Sequence, residues 1–129
     1  VGVPIKHGDM RGLTPEGAVL VEAPIQVGHD VWIGKDVALF GGVTIGNGCI
    51  IGAKSLVTKD CIPYGIYAGT PAKLIRTRFS DEIIAQLLTL EWWNWSNEKL
   101  RANARFFEMD FTTFEGGIAS LVHETSVAA

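Results

Sequence analysis

The chain has 129 residues, 47% of them hydrophobic, with 15 glycines, 2 cysteines and a formal net charge of −3. That length predicts one domain with room for a tail, and the apolar share is enough for a core. The charge argues against nucleic acid or an anionic membrane as partner; no long apolar run or signal-like start points to a bilayer or to export.

In chain order, Val1 to Lys6 reads as a strand of an earlier coil, and residues 8–22, with Gly8, Gly12, Pro15 and Gly17, as an excursion out of it. The chain starts without Met, and its first residues read as mid-structure. The expectation is that a longer parent has lost its first coils here, or that another subunit covers that end. From Val27 the sequence repeats in sixes, with Val27, Ile33, Leu39, Ile45, Ile51 and Val57 at the first position. Gly28, Gly34, Gly46 and Gly52 hold the second position, where they are expected to permit backbone conformations that a Cβ resists. Val31, Val37, Val43, Cys49, Ser55 and Cys61 hold the fifth, small or β-branched.

A short fixed period of this kind signals a β-solenoid, three six-residue faces making a coil of about eighteen residues. Val27 is then expected beneath Ile45, Ile33 beneath Ile51, Leu39 beneath Val57 and Val31 beneath Cys49, with the aliphatic positions filling the centre. An ordinary sandwich of strands and turns has no need of six in-phase aliphatics. Cys49 and Cys61 fall on inward positions and read as buried, reduced thiols, which fits a cytoplasmic protein. The cysteines have no matching ligand partners, so no metal is expected.

The solenoid runs from Ala23 to about Arg76, with Pro63 and Pro71 punctuating its exit. Ser80 is placed to cap a helix carrying Ile83, Ile84, Leu87, Leu88 and Leu90, with Asp81 and Glu82 at its positive end. A second short helix is predicted over Asn97 to Phe107. Residues 112–129 are left open between a strand, an arm and a disordered end. The fold class is mainly β, with a β-helical unit over residues 1–76 and a helical extension and tail over 77–129.

The blocks Asp30-Val-Trp-Ile-Gly, Ile51-Gly-Ala-Lys-Ser-Leu-Val-Thr-Lys-Asp and Ala68-Gly-Thr-Pro-Ala-Lys resemble the hexapeptide-repeat acyltransferases. Arg78-Phe79, Leu87-Leu88 and Trp92-Trp93-Asn94-Trp95 narrow the resemblance to the xenobiotic branch, which includes chloramphenicol and streptogramin A acetyltransferases. It covers about residues 24 to 96. The resemblance implies a left-handed parallel β-helix, a homotrimer with sites at its interfaces, and acetyl-CoA as cosubstrate. It also implies a histidine base that deprotonates an acceptor hydroxyl, followed by direct attack on the thioester.

On that resemblance His7 is the base. It precedes the excursion as the catalytic histidine does in related sugar acetyltransferases, although Lys6-His7-Gly8 departs from the branch's usual Asn-His-Arg. The bland alternative is a loop histidine. His29 occupies an outward corner and reads as structural; His123 lies in the tail. Trp32, projecting outward, is assigned to the acceptor pocket or to interface packing, and Asp9 and Met10 of the excursion to the acceptor site. The cofactor residues are Gly52, Ala53, Thr58, Lys59, Gly69, Thr70, Pro71, Ala72, Lys73 and Arg76. Gly and Ala let a pantetheine arm approach the backbone, and cations suit the phosphates. Lys73 ranks first among the cations and Lys54 lower; for each lysine the alternative is a solvated side chain. Trp92, Trp93 and Trp95 read as packing.

Three classes of function are compatible with these residues. The first is a CoA-dependent O-acetyltransferase acting on a small hydroxylated molecule, an antibiotic or a sugar. The second is a non-catalytic trimeric module, or a truncated acyltransferase. The third, a γ-type carbonic anhydrase, would need three zinc histidines at set spacing, and His7, His29 and His123 are nowhere closely paired.

Overall fold

The computed structural model describes residues 23–124. The expected strand at Val1–Lys6, the excursion at 8–22 and the end of the tail lie outside them. The chain divides into two compact units, one up to Arg76 and one from Thr77.

Among the described residues the first unit opens with six two-residue strands: β1 Gln26–Val27, β2 Trp32–Ile33, β3 Ala38–Leu39, β4 Thr44–Ile45, β5 Ile50–Ile51 and β6 Leu56–Val57. They form three parallel ladders in which partners stand eighteen residues apart: Gln26 on Thr44, Trp32 on Ile50 and Ala38 on Leu56. The expected stacks of Val27 on Ile45, Ile33 on Ile51 and Leu39 on Val57 are register partners. Two longer strands follow, β7 Gly65–Gly69 and β8 Ala72–Thr77, giving a four-stranded sheet in the order β2-β5-β7-β8.

The core comprises Val43, Ile45, Cys49, Ile51, Val57, Cys61 and Tyr67, with Val31, Val37 and Leu39 packed against it. Each fully buried aliphatic here contributes roughly 1.5–3 kcal/mol over an exposed one. The aliphatic positions do not all fill the centre, however. Ile45 and Ile51 are 0% exposed, whereas Val27 is 49% and Ile33 40% exposed. The latter two lie on the outermost described strands, where neighbours pack from one side.

The repeat also slips at its exit. Ile50 pairs with Ile66 and Ile45 bridges Cys61, both sixteen residues apart rather than eighteen. Cys61 therefore stacks on an aliphatic first position, Ile45, and not on a small fifth position as the period predicts.

The glycines of the second position work differently from expectation. None of Gly28, Gly34, Gly46 and Gly52 adopts a positive φ. They are needed for close approach: a Cβ would lie 2.6 Å from Ala53 N at Gly34, and 2.7 Å from Pro63 N at Gly46. Left-handed backbone falls instead at the fourth position, on Asp30, Asp36, Gly42, Gly48 and Lys54. Aspartate and glycine tolerate that conformation best, which explains four of these five choices.

Both cysteines are free and buried. The Cys49 thiol donates to the Ile62 carbonyl at 2.9 Å. Burial, with Cys49 and Asp60 adding to it, pushes the Cys61 thiol up from 9.0 to about 11. A thiol raised on folding adds stability that is complete below its unfolded value near 9.0 and is lost as pH rises through about 11. At pH 8 neither thiol should react with Ellman's reagent in the folded chain, and both should react in urea. Rapid titration of a thiol in the native chain would contradict this burial.

In the second unit, α1 spans Asp81–Leu90; the Ser80 hydroxyl accepts from Ile83 N at 3.3 Å, the expected cap. Ile83 and Leu87 are its buried residues. The second predicted helix is split. α2 covers Asn97–Ala102, and a three-ten turn follows over Ala104–Glu108. The break is Asn103, buried, whose side chain donates to Lys99 O at 2.8 Å and to His123 O at 2.9 Å, and accepts from His123 N at 2.6 Å. An asparagine bonding main-chain groups in this way competes with the helix ladder. A further three-ten turn at Ile118–Leu121 lies in the segment that the sequence left open. Trp92 meets Phe107 edge-on and Trp95 packs on Phe106, the packing role expected of these indoles. Among the described residues no helix is long and apolar enough to cross a membrane.

Candidate active-site face

The sheet β2-β5-β7-β8 and the turns that leave its strands carry most of the described site residues. Trp32, Ile50 and Ile66 are successive register partners on it. Their next neighbours Ile51 and Tyr67 belong to the core, so by alternation Trp32, Ile50 and Ile66 face outward. Trp32 is 59% exposed, as expected of an indole at the sixth position. On β8, Ala72 packs against the core, which puts Lys73 and Ile75 on the outer face. Ile75 is 62% exposed. The result is an apolar row of Trp32, Ile50 and Ile66, with Ile75 of β8 on the same face. The other ladders present Gln26 with Thr44 and Ala38 with Leu56 at the equivalent positions.

Trp32 and Lys73 thus lie on the same face, on the two outermost strands of the sheet. Three interstrand steps separate those strands, roughly 14 Å. Between them the surface is low: a Cβ on Gly52 would sit 3.2 Å from the Ala68 Cβ.

Two hydrogen bonds and one hydroxyl contact tie the expected cofactor segments together. The buried Ser55 hydroxyl donates to Gly52 O at 2.7 Å and accepts from Gly69 N at 3.2 Å. Thr70 Oγ1 lies 3.4 Å from Lys54 O as its donor. The turn at Gly52–Lys54 and the hairpin at Gly69–Lys73 are therefore one structure. Gly69 has φ +108, a conformation side chains rarely adopt, and the Thr70–Pro71 bond is cis. Ala53, Thr70, Pro71, Lys73 and Arg76 are exposed.

Thr58 and Lys59 are not brought to this face. They follow β6, which among the described residues pairs with β3 in a separate two-stranded sheet. His7, Asp9 and Met10 lie outside the described residues. His29 sits at a corner, where its backbone N–H donates to Asn47 Oδ1 at 2.7 Å. Sequence reasoning missed Ser55, Ile50, Ile66 and Ile75. Ser55 was visible as the hydroxyl member of an otherwise apolar or thiol fifth position. The isoleucines were visible only as doublets beside inward residues. Among the described residues no group of three His, Cys, Asp or Glu side chains is placed to hold a metal ion.

Over residues 24–59 the chain matches the bacterial transferase hexapeptide, six repeats, so it carries the hexapeptide repeat that the ladders already display. Its relatives there and beyond are named as acetyltransferases. A probable macrolide acetyltransferase of Lysinibacillus sphaericus is 49% identical over 78% of this chain and 53% of its own length. A chloramphenicol acetyltransferase of Klebsiella aerogenes is 55% identical over 59% of this chain and 36% of its own. A solved structure, galactoside acetyltransferase in complex with coenzyme A, is 39% identical over 59% of this chain and 36% of that one, with a TM-score of 0.47. The chain spans about half the length, or less, of the two curated relatives. The resemblance to hexapeptide-repeat acetyltransferases of the chloramphenicol and macrolide kind therefore holds.

Proposed function

We propose that the chain is an acetyl-CoA-dependent O-acetyltransferase that works as a homotrimeric left-handed parallel β-helix on a small hydroxylated acceptor, with subunit interfaces completing the sites. The observation that carries this reading is the single outer face shared by Trp32, the low ground at Gly52 and the cation Lys73. The eighteen-residue register supports the β-helix. The names of the curated relatives support an antibiotic acceptor.

The residues present fit the cosubstrate. Gly52 and Ala53, with Gly69 to Ala72, offer a side-chain-poor strip for a pantetheine arm. Ser55 holds the two segments in fixed register, so little is lost in ordering them. Lys73 supplies a cation for the phosphates on this face, whereas Arg76, by alternation on the other side of β8, and Thr58 with Lys59, on an adjoining ladder, stand off the strip. Trp32, with Asp9 and Met10, forms the acceptor side, and the row continuing through Ile50 and Ile66 gives it an apolar wall.

His7 takes the proton from the acceptor hydroxyl. The oxygen forms its bond to the thioester carbonyl carbon; the carbon–sulfur bond then breaks, and the departing thiolate recovers the proton from His7. Backbone amides stabilise the oxyanion.

Equilibrium binding of CoA tests the face itself. The chain should bind CoA, and Lys73→Ala should weaken binding about tenfold, the loss of one charge-assisted contact. Absence of CoA binding, or an unchanged Kd in Lys73→Ala, would remove the face from the account.

A further inference from the structure

The second unit has a site of its own. A cleft of about 560 Å³ is bounded by Arg101, Arg105 and His123, with Asn103, Phe106 and Met109 among the other walls. Among the described residues no carboxylate lines it. Neither arginine makes an ion pair among the described residues, where Lys99 with Glu124 forms one at 3.0 Å. On a chain whose net charge is −3, two arginines lining one cleft whose described walls hold no carboxylate are a local reversal of sign.

The walls are fixed before any ligand arrives. Asn103 is 2% exposed, and both ends of its amide bond the backbone of His123. The Lys99–Glu124 pair pins the residue that follows. Lys99 also lies 4.7 Å from the Trp95 ring centroid, which anchors the helix side of the same junction. Phe106, 3% exposed, and Met109 supply apolar surface between the charges. Guanidinium forks match the oxygens of carboxylates and phosphates, and the volume falls within the range of small-molecule sites.

We propose that this cleft binds a small organic anion, an apolar body ending in a carboxylate or a phosphate ester. The proposal does not depend on the acetyl-transfer reading.

Isothermal titration of the full chain with phenyl phosphate, with benzoate and with benzyl alcohol tests it. At least one anion should bind, and more weakly as salt is raised; the neutral alcohol should not bind. Arg101→Gln and Arg105→Gln should each weaken binding about tenfold, whereas Lys73→Ala should leave it unchanged. Preference for phenyl phosphate assigns a phosphate ester, and preference for benzoate a carboxylate. The proposal is overturned if neither anion binds, if benzyl alcohol binds as well as they do, or if the arginine variants bind as the parent does. Both arginines are exposed, so the variants should keep the parent's circular dichroism.

Discussion

Gly46→Ala should destabilise the chain by about 2–3 kcal/mol, an overpacking cost imposed by one methyl group. The new Cβ would lie 2.7 Å from Pro63 N and 2.9 Å from Cys61 O, both backbone atoms of the next turn of chain. Gly46 N also donates to Cys61 O at 2.9 Å, so the two segments cannot part without losing that bond. No side-chain rotation relieves the clash; the backbone must shift, and with it the Ile45–Cys61 bridge. Gly117→Ala is the matched control, since the nearest atom to its Cβ would be 3.9 Å away and that change should be nearly neutral. Urea midpoints of the two variants against the parent read the difference. Equal midpoints would mean that the glycines of the repeat are not there for close approach.

His7→Ala should lower kcat/KM for acetyl transfer by about 10²–10⁴, the usual contribution of a general base. The reason is the proton. An acceptor hydroxyl is a poor nucleophile near neutral pH, and a group with an unperturbed pKa near 6.5 is the side chain suited to removing its hydrogen there. The loss should fall on kcat with CoA binding retained, because the proposed cosubstrate contacts, Lys73 and the Gly69 hairpin, do not include that histidine. Stopped or steady-state kinetics with acetyl-CoA and a turning-over acceptor would show it. A variant with undiminished kcat would move the base to another residue.

The regular part of the fold was legible because a six-residue aliphatic phase maps directly onto register: Val27 on Ile45 and Ile33 on Ile51 follow from counting. Counting fails where the phase changes. Past Val57 the offset shortens to sixteen residues, and nothing in the aliphatic pattern marks the slip before Pro63. The glycines announced a constraint but not its kind, since a sequence does not distinguish a positive φ from a close neighbour. The fourth position held the better signal for left-handed backbone, with Asp30, Asp36, Gly42 and Gly48 in phase. The split at Asn103 was hidden because its cause is a partner twenty residues away, the backbone of His123. At the proposed site, motif resemblance singled out Gly52 and Lys73. It could not show that Ser55 binds their two segments together, nor that Thr58 and Lys59 leave from another ladder, because both facts depend on how successive turns of chain stack.

The most direct measurement is acetyl-CoA-dependent thiol release by the purified chain with chloramphenicol, a macrolide, a streptogramin A and simple sugars as acceptors. The account predicts release with at least one acceptor and acetylation of its hydroxyl. Release no faster than the acceptor-free background, by a chain that is folded and binds CoA, would contradict the claim that this face carries acetyl transfer.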